Sequence, residues 1–437
     1  MSQTTRRALL LAGYAVVLLV PVALLFGVVK PGAQGRLVIF ADALGFAALS
    51  LIALQLAVSG RWAATTRAFG LRSVLSLHRQ AGMAVLVLVV VHVVVLIVAD
   101  PSRLALLDPV TAPPRARAGV LALLALLILA GGSALRRRLR VSHERWRAVH
   151  LGCTAVVIAA AFAHIEWVDD YTSVPVVRWT VLGLVLAAAA ALFWSRVARP
   201  YTTALRPYRV VAVKRERGDA VTLELAADGH RGLRFAPGQF ARLRAAHAAY
   251  GIDDHPFSLS SSALRPDRPA FTVKALGDFS TSLASLQAGS EILVDGPHGE
   301  PARSARSASG RLLVAAGIGI TPALSVIRTA AASGDRRPLL LLYGSRSWAD
   351  VTFAEELAEL QRELPNLRVV HVLSRAEPAW RGERGRIGEA VLRRYAGPDI
   401  ATWSALVCGP AAMVADVTLA LRRLGVPPAA IQSEGFE

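Results

Sequence analysis

The chain has 437 residues, 54% of them hydrophobic, and a formal charge of +18. That length leaves room for two or three domains, and two cysteines in opposite halves, Cys153 and Cys408, exclude a disulfide framework or a thiolate metal site. Residues 1–200 carry 20 Lys/Arg against 7 Asp/Glu, while residues 201–437 carry 29 against 24. Most of the excess therefore lies between apolar runs, where anionic lipid headgroups rather than nucleic acid are the expected partner.

Arg6 and Arg7 precede an apolar run that reaches about Val29, too long for a signal core and followed by no small-residue cleavage site. It reads as an uncleaved first membrane helix, kinked at Pro21. Further apolar segments near 37–58, 79–99, 118–135, 148–168 and 175–195 bring the expected spans to six. With a cytoplasmic N-terminus, the inner segments carry 14 Lys/Arg and the outer loops carry 6. This bias satisfies the positive-inside rule for a plasma-membrane protein and puts residues 201–437 in the cytosol. The last outer loop is acidic, with Glu166, Asp169 and Asp170.

His78 and His92 share the third span, and His150 and His164 share the fifth, each pair 14 residues apart. Fourteen residues is close to four helical turns, so both members of a pair face nearly one way, about 21 Å apart along the axis. The two spans run in the same direction. His78 and His150 thus fall at one depth near the cytosol, and His92 and His164 at another near the far side. This arrangement suits two stacked b-type haems, each taking one axial imidazole from either helix. A packing histidine is the plain alternative for any one position; two pairs at one spacing favour ligation. His143, among the arginines between Arg136 and Arg147, is read as a loop residue. Arg72, Arg79 and Arg147 suit haem propionates or lipid headgroups equally.

From Pro207 to about Gly299 short β-like runs separated by Gly and Pro predict a small antiparallel barrel. They are Val210–Val213, Val221–Leu225, Phe240–Leu243, Phe257–Ser260, Ala270–Val273 and Ile292–Val294. From Arg311 apolar strands alternate with helices, as in a doubly wound α/β parallel sheet. The strands are Leu312–Ala316, Leu339–Tyr343, Val369–Leu373 and Ala405–Val407. The expected division is a six-helix transmembrane haem bundle over 1–200, an antiparallel β-barrel over 201–300 and an α/β domain over 301–437.

Several motifs mark this half: Pro237-Gly238-Gln239-Phe240; His255-Pro256-Phe257-Ser258-Leu259-Ser260; and Lys274-Ala275-Leu276-Gly277-Asp278-Phe279-Ser280-Thr281. Gly317-Ile318-Gly319-Ile320-Thr321-Pro322, Tyr343-Gly344-Ser345-Arg346, Cys408-Gly409-Pro410 and a terminal Glu434-Gly435-Phe436 follow. On these strings the half resembles the ferredoxin–NADP reductase superfamily, and the whole chain resembles the bacterial NADPH oxidase/ferric reductase family. The resemblance implies that His255, Pro256, Phe257 and Ser258 line FAD, with Ser258 near the reactive N5. His255 stands where soluble members usually carry Arg, and its role is either a phosphate contact or a turn. Lys274, Gly277, Ser280 and Thr281 suit a pyrophosphate at a helix start, or a plain helix cap. Gly317, Gly319, Thr321 and Pro322 form the superfamily's nucleotide turn. Ser345 and Arg346 favour the 2′-phosphate of NADPH over NADH. Cys408, Gly409 and Pro410 match the segment near the nicotinamide, with a small buried thiol as the other reading of Cys408. Phe436 is either a flavin-covering gate or a frayed end.

The implied activity carries electrons from NADPH through FAD and two b-type haems to an external acceptor, O2 or a ferric chelate. The competing expectation is a haem-free membrane anchor on a flavin reductase that serves a protein partner.

Overall fold

The computed structural model describes residues 3–28, 35–59, 71–136, 138–169, 171–245, 255–275, 278–302 and 308–436. It separates into two units, Met1–Pro200 and Tyr201–Glu437. The first consists of long helices because its apolar runs hold few charges and no interior breakers besides Pro21. These are α1 (Gln3–Val28), α2 (Arg36–Ser59), α3 (Leu71–Ala99), α4 (Pro114–Leu135), α5 (His143–Val168) and α6 (Pro175–Phe193). All six are long and apolar enough to cross a membrane.

Local chemistry sets the ends. Pro114 and Pro175 sit in the first turns of α4 and α6, where a missing N–H costs nothing. Ser142 caps α5 by accepting from the Arg145 N–H at 3.3 Å, and Asp169 closes it in the left-handed region. A π turn, Trp194–Ala198, leads from α6 into α7 (Arg199–Ala204). α3 and α5 start earlier than hydropathy alone predicts. Their first turns are polar and stand outside the apolar stretch, so a window of apolar length misses them. His143 consequently opens α5 instead of lying in a loop; its side chain is outside the described residues.

Leu19, Val98, Leu124 and Trp179 stay half or more exposed, as lipid-facing side chains must. Inside, Leu25, Phe46, Tyr171 and Val181 form one cluster, and Ala48, Val85, Ala125 and Val157 another. The small alanines let helix backbones approach closely.

In the second unit six antiparallel strands run β1 (Pro207–Glu216), β2 (Ala220–Ala227), β3 (Phe240–Ala245), β4 (His255–Ser258), β5 (Ala270–Lys274) and β6 (Glu291–His298). Their order is β4-β3-β6-β1-β2-β5, and a Leu259–Phe271 bridge brings the two edges together. The outcome is a near-closed barrel around Leu223, Leu225, Leu243 and Phe271, with α8 (Asp278–Leu283) beyond β5. A parallel sheet follows: β7 (Arg311–Ala316), β8 (Leu339–Ser345), β9 (Leu367–Leu373), β10 (Glu383–Arg384), β11 (Ser404–Pro410) and β12 (Ile431–Phe436). Its order is β10-β9-β8-β7-β11-β12. Helices α9 (Ile320–Ser333) and α10 (Ala354–Glu363) cover one face, and α11 (Glu389–Tyr395) and α12 (Ala411–Arg423) the other. β12 was not among the expected strands. Its backbone pairs in parallel with β11 from Ala405–Ile431 to Pro410–Phe436, a partner about 26 residues away that local pattern does not reveal.

The sheet also contains a buried titratable group. His371 on β9 lies edge-on to Trp348 at 5.1 Å, and its Nδ1 has no partner. Burial pushes its imidazole down to about 4. Below its ordinary value near 6.5, unfolded chain takes up a proton that folded chain refuses. The contribution of His371 to stability is therefore fully present above about pH 6.5 and is lost, by about 3 kcal/mol, toward pH 4. His371→Phe is expected to flatten that part of a melting-temperature profile of the detergent-solubilised protein. An unchanged slope would mean another group governs it.

Candidate cofactor sites

The four membrane histidines occupy α3 and α5 as two pairs. The ring centres of His78 and His150 are 6.2 Å apart, their planes inclined at 52°. With metal–imidazole bonds of about 2 Å and ring centres about 1 Å behind the ligating nitrogens, that separation would leave room for one metal between the two rings. His150 Nδ1 is buried without a hydrogen-bond partner, and Trp146, one turn earlier, packs its ring 5.1 Å from His150.

At the other level each imidazole is held by a main-chain carbonyl from a neighbouring helix. His92 Nδ1 lies 2.7 Å from the Ala41 oxygen, and His164 Nδ1 lies 2.8 Å from the Arg115 oxygen. A carbonyl can only accept, so each ring carries its proton on Nδ1 and keeps the Nε2 lone pair. Both carbonyls are reachable for the same reason. In a helix the Cβ of residue i+4 leans back over the carbonyl of residue i. Here the i+4 residues are Gly45 and Gly119. An added Cβ would come 3.5 Å from His92 Nδ1 at Gly45, and 3.0 Å from His164 Nδ1 at Gly119. Neither glycine was singled out in the sequence, because what each accommodates lies about 45 residues further along the chain. Glycine four residues after a helical carbonyl, on a span neighbouring a His-bearing one, is the signal that was available.

Among the described residues no three His, Cys, Asp or Glu side chains gather to hold a bare ion. Two imidazoles supply two donors, the number that a metal held in a macrocycle leaves to the protein. Where α5 turns into α6, Glu166 pairs with Arg178 at 3.2 Å, and Asp169 accepts from Thr172. Asp170 is outside the described residues. Arg79 is exposed, Arg147 half-buried, and the Arg72 side chain is outside the described residues.

In the barrel, β4 places Ser258 opposite Phe240 and His255 opposite Leu243. Phe279, the second residue of α8, stacks on His255 at 4.3 Å and lies near-parallel to Phe257 at 6.2 Å. One aromatic thus joins the His-Pro-Phe-Ser string to the segment after β5. Pro256 is exposed. Lys274 ends β5, Ser280 and Thr281 lie within α8, and Gly277 is outside the described residues.

The nucleotide turn sits where the strand order reverses, between β7 and β11, which is where open α/β sheets form a crevice. Gly317 takes a left-handed φ of 53°, and nothing stands within 4 Å of a Cβ there. At Gly319 an added Cβ would meet the Cys408 carbonyl oxygen at 2.4 Å. The first glycine turns the chain; the second lets α9 start against the end of β11. Tyr343, fully buried on β8, fixes the turn by donating to the Gly317 carbonyl at 3.1 Å. Thr321 donates to the Ile318 carbonyl at 3.0 Å and, like Pro322, is buried at the start of α9. Cys408 is buried beside Ala315, whereas Gly409 and Pro410 lead into α12. Ser345 is buried at the end of β8, and Arg346 is exposed beyond it. The Arg346 carbonyl accepts from the exposed Arg375 at 2.7 Å, bringing two guanidinium-bearing residues side by side past β8 and β9. Phe436 ends β12; its side chain is outside the described residues.

Comparison with known proteins finds a separate match in each unit. Residues 44–161 match the family described as "Ferric reductase like transmembrane component", and residues 313–418 match "Oxidoreductase NAD-binding domain". The reductase component of the naphthalene 1,2-dioxygenase/salicylate 5-hydroxylase systems of a Ralstonia species is 30% identical over 47% of this chain and 61% of its own length. Ferredoxin–NADP reductase B of Sorangium cellulosum is 34% identical over 37% of this chain and 68% of its own length. The solved Amycolatopsis cytochrome P450 reductase GcoB is 26% identical, covers 53% of this chain and 69% of its own, and has a TM-score of 0.46. The chain spans less than two thirds of the Ralstonia relative.

Proposed function

We propose a transmembrane electron path for this chain, which belongs to the ferredoxin–NADP reductase family and joins that dehydrogenase to a ferric reductase-like transmembrane component. The chain is an oxidoreductase with an NAD-binding domain, and its barrel is read as the FAD site. The finer reading takes electrons from NADPH, through FAD and two b-type haems, to an external acceptor, either O2 or a ferric chelate. When bound, the flavin takes the two electrons of a nicotinamide together and releases them singly to haems, which carry one each. The observation that carries this reading is the matched pairing of imidazoles at two depths of α3 and α5.

The residues fit such groups. His78 and His150 would hold the inner haem, and His92 and His164 the outer, with the Ala41 and Arg115 carbonyls fixing the outer rings' tautomer. Phe257, Phe279 and Ser258 would face the flavin. The Gly317–Gly319 turn would receive the nucleotide pyrophosphate, while Arg346 with Arg375 would receive the 2′-phosphate of NADPH. On that account Arg346→Ala should raise KM for NADPH about tenfold, the worth of one charged hydrogen bond, and leave NADH unaffected. Equal effects on both nucleotides would remove Arg346 from this role. The bias of Lys and Arg among the loops supports a dehydrogenase on the cytosolic side of the plasma membrane.

Anaerobic addition of NADPH to purified protein, reconstituted with FAD and haem in lipid nanodiscs, tests the reading. Two b-type haems per chain should be present and should reduce. Absence of b-type bands would sink the haem path and leave a reductase on a membrane anchor, a role suggested by the Ralstonia relative, itself a reductase component. Superoxide-dismutase-sensitive dye reduction against Fe(III)-chelate reduction then identifies the acceptor.

Gly119→Ala probes the outer site without touching a ligand. Its Cβ must displace the His164 ring by a few tenths of an ångström while Arg115 still holds Nδ1. The outer haem should be lost in part, by about tenfold in affinity. Gly45→Ala, where the added atom meets ordinary contact distances, should be nearly neutral. Equal haem content in both variants would contradict the carbonyl-access role of Gly119.

A further inference from the structure

The outer imidazoles are both held by carbonyls, whereas at the inner level a side chain takes that place. Gln55 reaches from α2 to α3. One end of its amide lies 2.9 Å from His78 Nδ1 and 3.1 Å from the His78 carbonyl oxygen; the other end lies 3.0 Å from the Gly82 nitrogen. Gly82 stands four residues after His78, repeating the relation of Gly45 to Ala41 and Gly119 to Arg115. An added Cβ at Gly82 would sit 3.6 Å from the Gln55 amide. A primary amide in the apolar part of a span is costly unless its bonds are met, and this one is aimed at a single imidazole and the turn around it.

The two orientations of that amide have different chemical consequences. With its nitrogen toward His78, it donates to the carbonyl and to a bare Nδ1. The ring proton is then on Nε2, which cannot ligate. With its oxygen toward His78, it accepts from Nδ1–H and leaves the Nε2 lone pair free, as the Ala41 and Arg115 carbonyls do for His92 and His164. In this second orientation the amide oxygen stands 3.1 Å from the His78 carbonyl oxygen and the amide NH2 stands 3.0 Å from the Gly82 nitrogen, so the one bond to Nδ1–H is made against two like-facing groups. Gln55 is therefore a weaker, switchable acceptor in a place where the outer site uses fixed ones.

We propose that Gln55 is the positioning residue of the inner haem: its amide oxygen holds His78 in the ligating tautomer and sets the inner haem's potential. The inference rests on the two-haem reading and adds to it which side chain makes the two sites unlike. Accepting a hydrogen bond from Nδ1–H would make the imidazole a stronger donor to iron, which favours the ferric form and lowers the midpoint potential.

The test is a spectroelectrochemical titration of the full chain in nanodiscs, with the inner haem identified as the one that survives His164→Ala. Gln55→Leu removes the acceptor and should shift the inner midpoint upward; Gln55→Glu supplies a stronger acceptor and should shift it downward. The outer midpoint should stay in place in both. Opposite shifts confined to one haem are not what a packing role would give. Gln55→Met, which keeps length and apolar fit, should follow Leu, and it replaces Leu if that variant does not fold. An inner midpoint that ignores all three substitutions, or moves the same way in Leu and Glu, overturns the proposal while the haem count stays at two. Wild-type protein without haem overturns the two-haem reading itself, before any variant is made.

Discussion

Alanine at His92 or His164 is expected to leave one haem per chain that NADPH still reduces, while turnover with an external acceptor falls by more than about 100-fold. Alanine at His78 or His150 should instead leave the flavin reducible and the remaining haem oxidised. The two outcomes differ because the pairs stand about 21 Å apart along their helices, further than one pair can substitute for the other. The lower bound on the loss comes from outer-shell partners, whose removal alone costs about 10- to 100-fold at metal sites; a missing axial ligand must cost more. Haem stoichiometry from a pyridine haemochromogen assay and anaerobic spectra after NADPH addition would read both classes. If His164→Ala keeps two haems and full acceptor reduction, the pairing is wrong, whatever becomes of His78. His143→Ala serves as the control within the same stretch: it opens α5 seven residues before His150, about 10 Å from that depth, and should change neither haem.

Where the site was legible in the sequence, periodicity made it so. Six apolar runs, a 14-residue spacing used twice and a strand–Gly-x-Gly–helix string are local patterns, and a helix or sheet turns each into a direction in space. What stayed hidden depends on contacts between distant segments. The Ala41 carbonyl meets His92 across 51 residues, and the Arg115 carbonyl meets His164 across 49. Gln55 looks like a stray polar residue in an apolar run until α3 is laid beside α2. Tyr343 reads as an ordinary strand residue, yet it ties down the Gly317 carbonyl 26 residues back. The last strand escaped notice because Ile431–Phe436 has its partner on β11 and little pattern of its own. His143 was misplaced for a different reason: apolar length measures where a membrane helix crosses hydrocarbon, whereas a serine cap decides where the helix begins.

The two glycines of the nucleotide turn make the second large prediction, because one substitution affects them unequally. Gly317→Ala puts a Cβ into open space at a left-handed φ, which costs about 1 to 2 kcal/mol of backbone strain and displaces nothing. Gly319→Ala puts a Cβ 2.4 Å from the Cys408 carbonyl oxygen and 3.2 Å from the Gly409 nitrogen. Those atoms are backbone at the end of a central strand, so no side-chain rotation relieves the clash. α9 must move off β11, and the crevice between the two strand ends opens. A displacement of about 1 Å in a positioning element can cost about 100-fold in rate. NADPH-driven reduction of ferricyanide, which draws electrons without the haems, should fall by that order in Gly319→Ala and by less than about tenfold in Gly317→Ala. FAD content and both haems should be unchanged in each. Equal losses in the two variants would mean that strain in the turn, and not the approach of α9 to Cys408, governs the site. A selective loss at Gly319 would place the reacting end of the nucleotide against the strand end where Cys408, Gly409 and Pro410 lie.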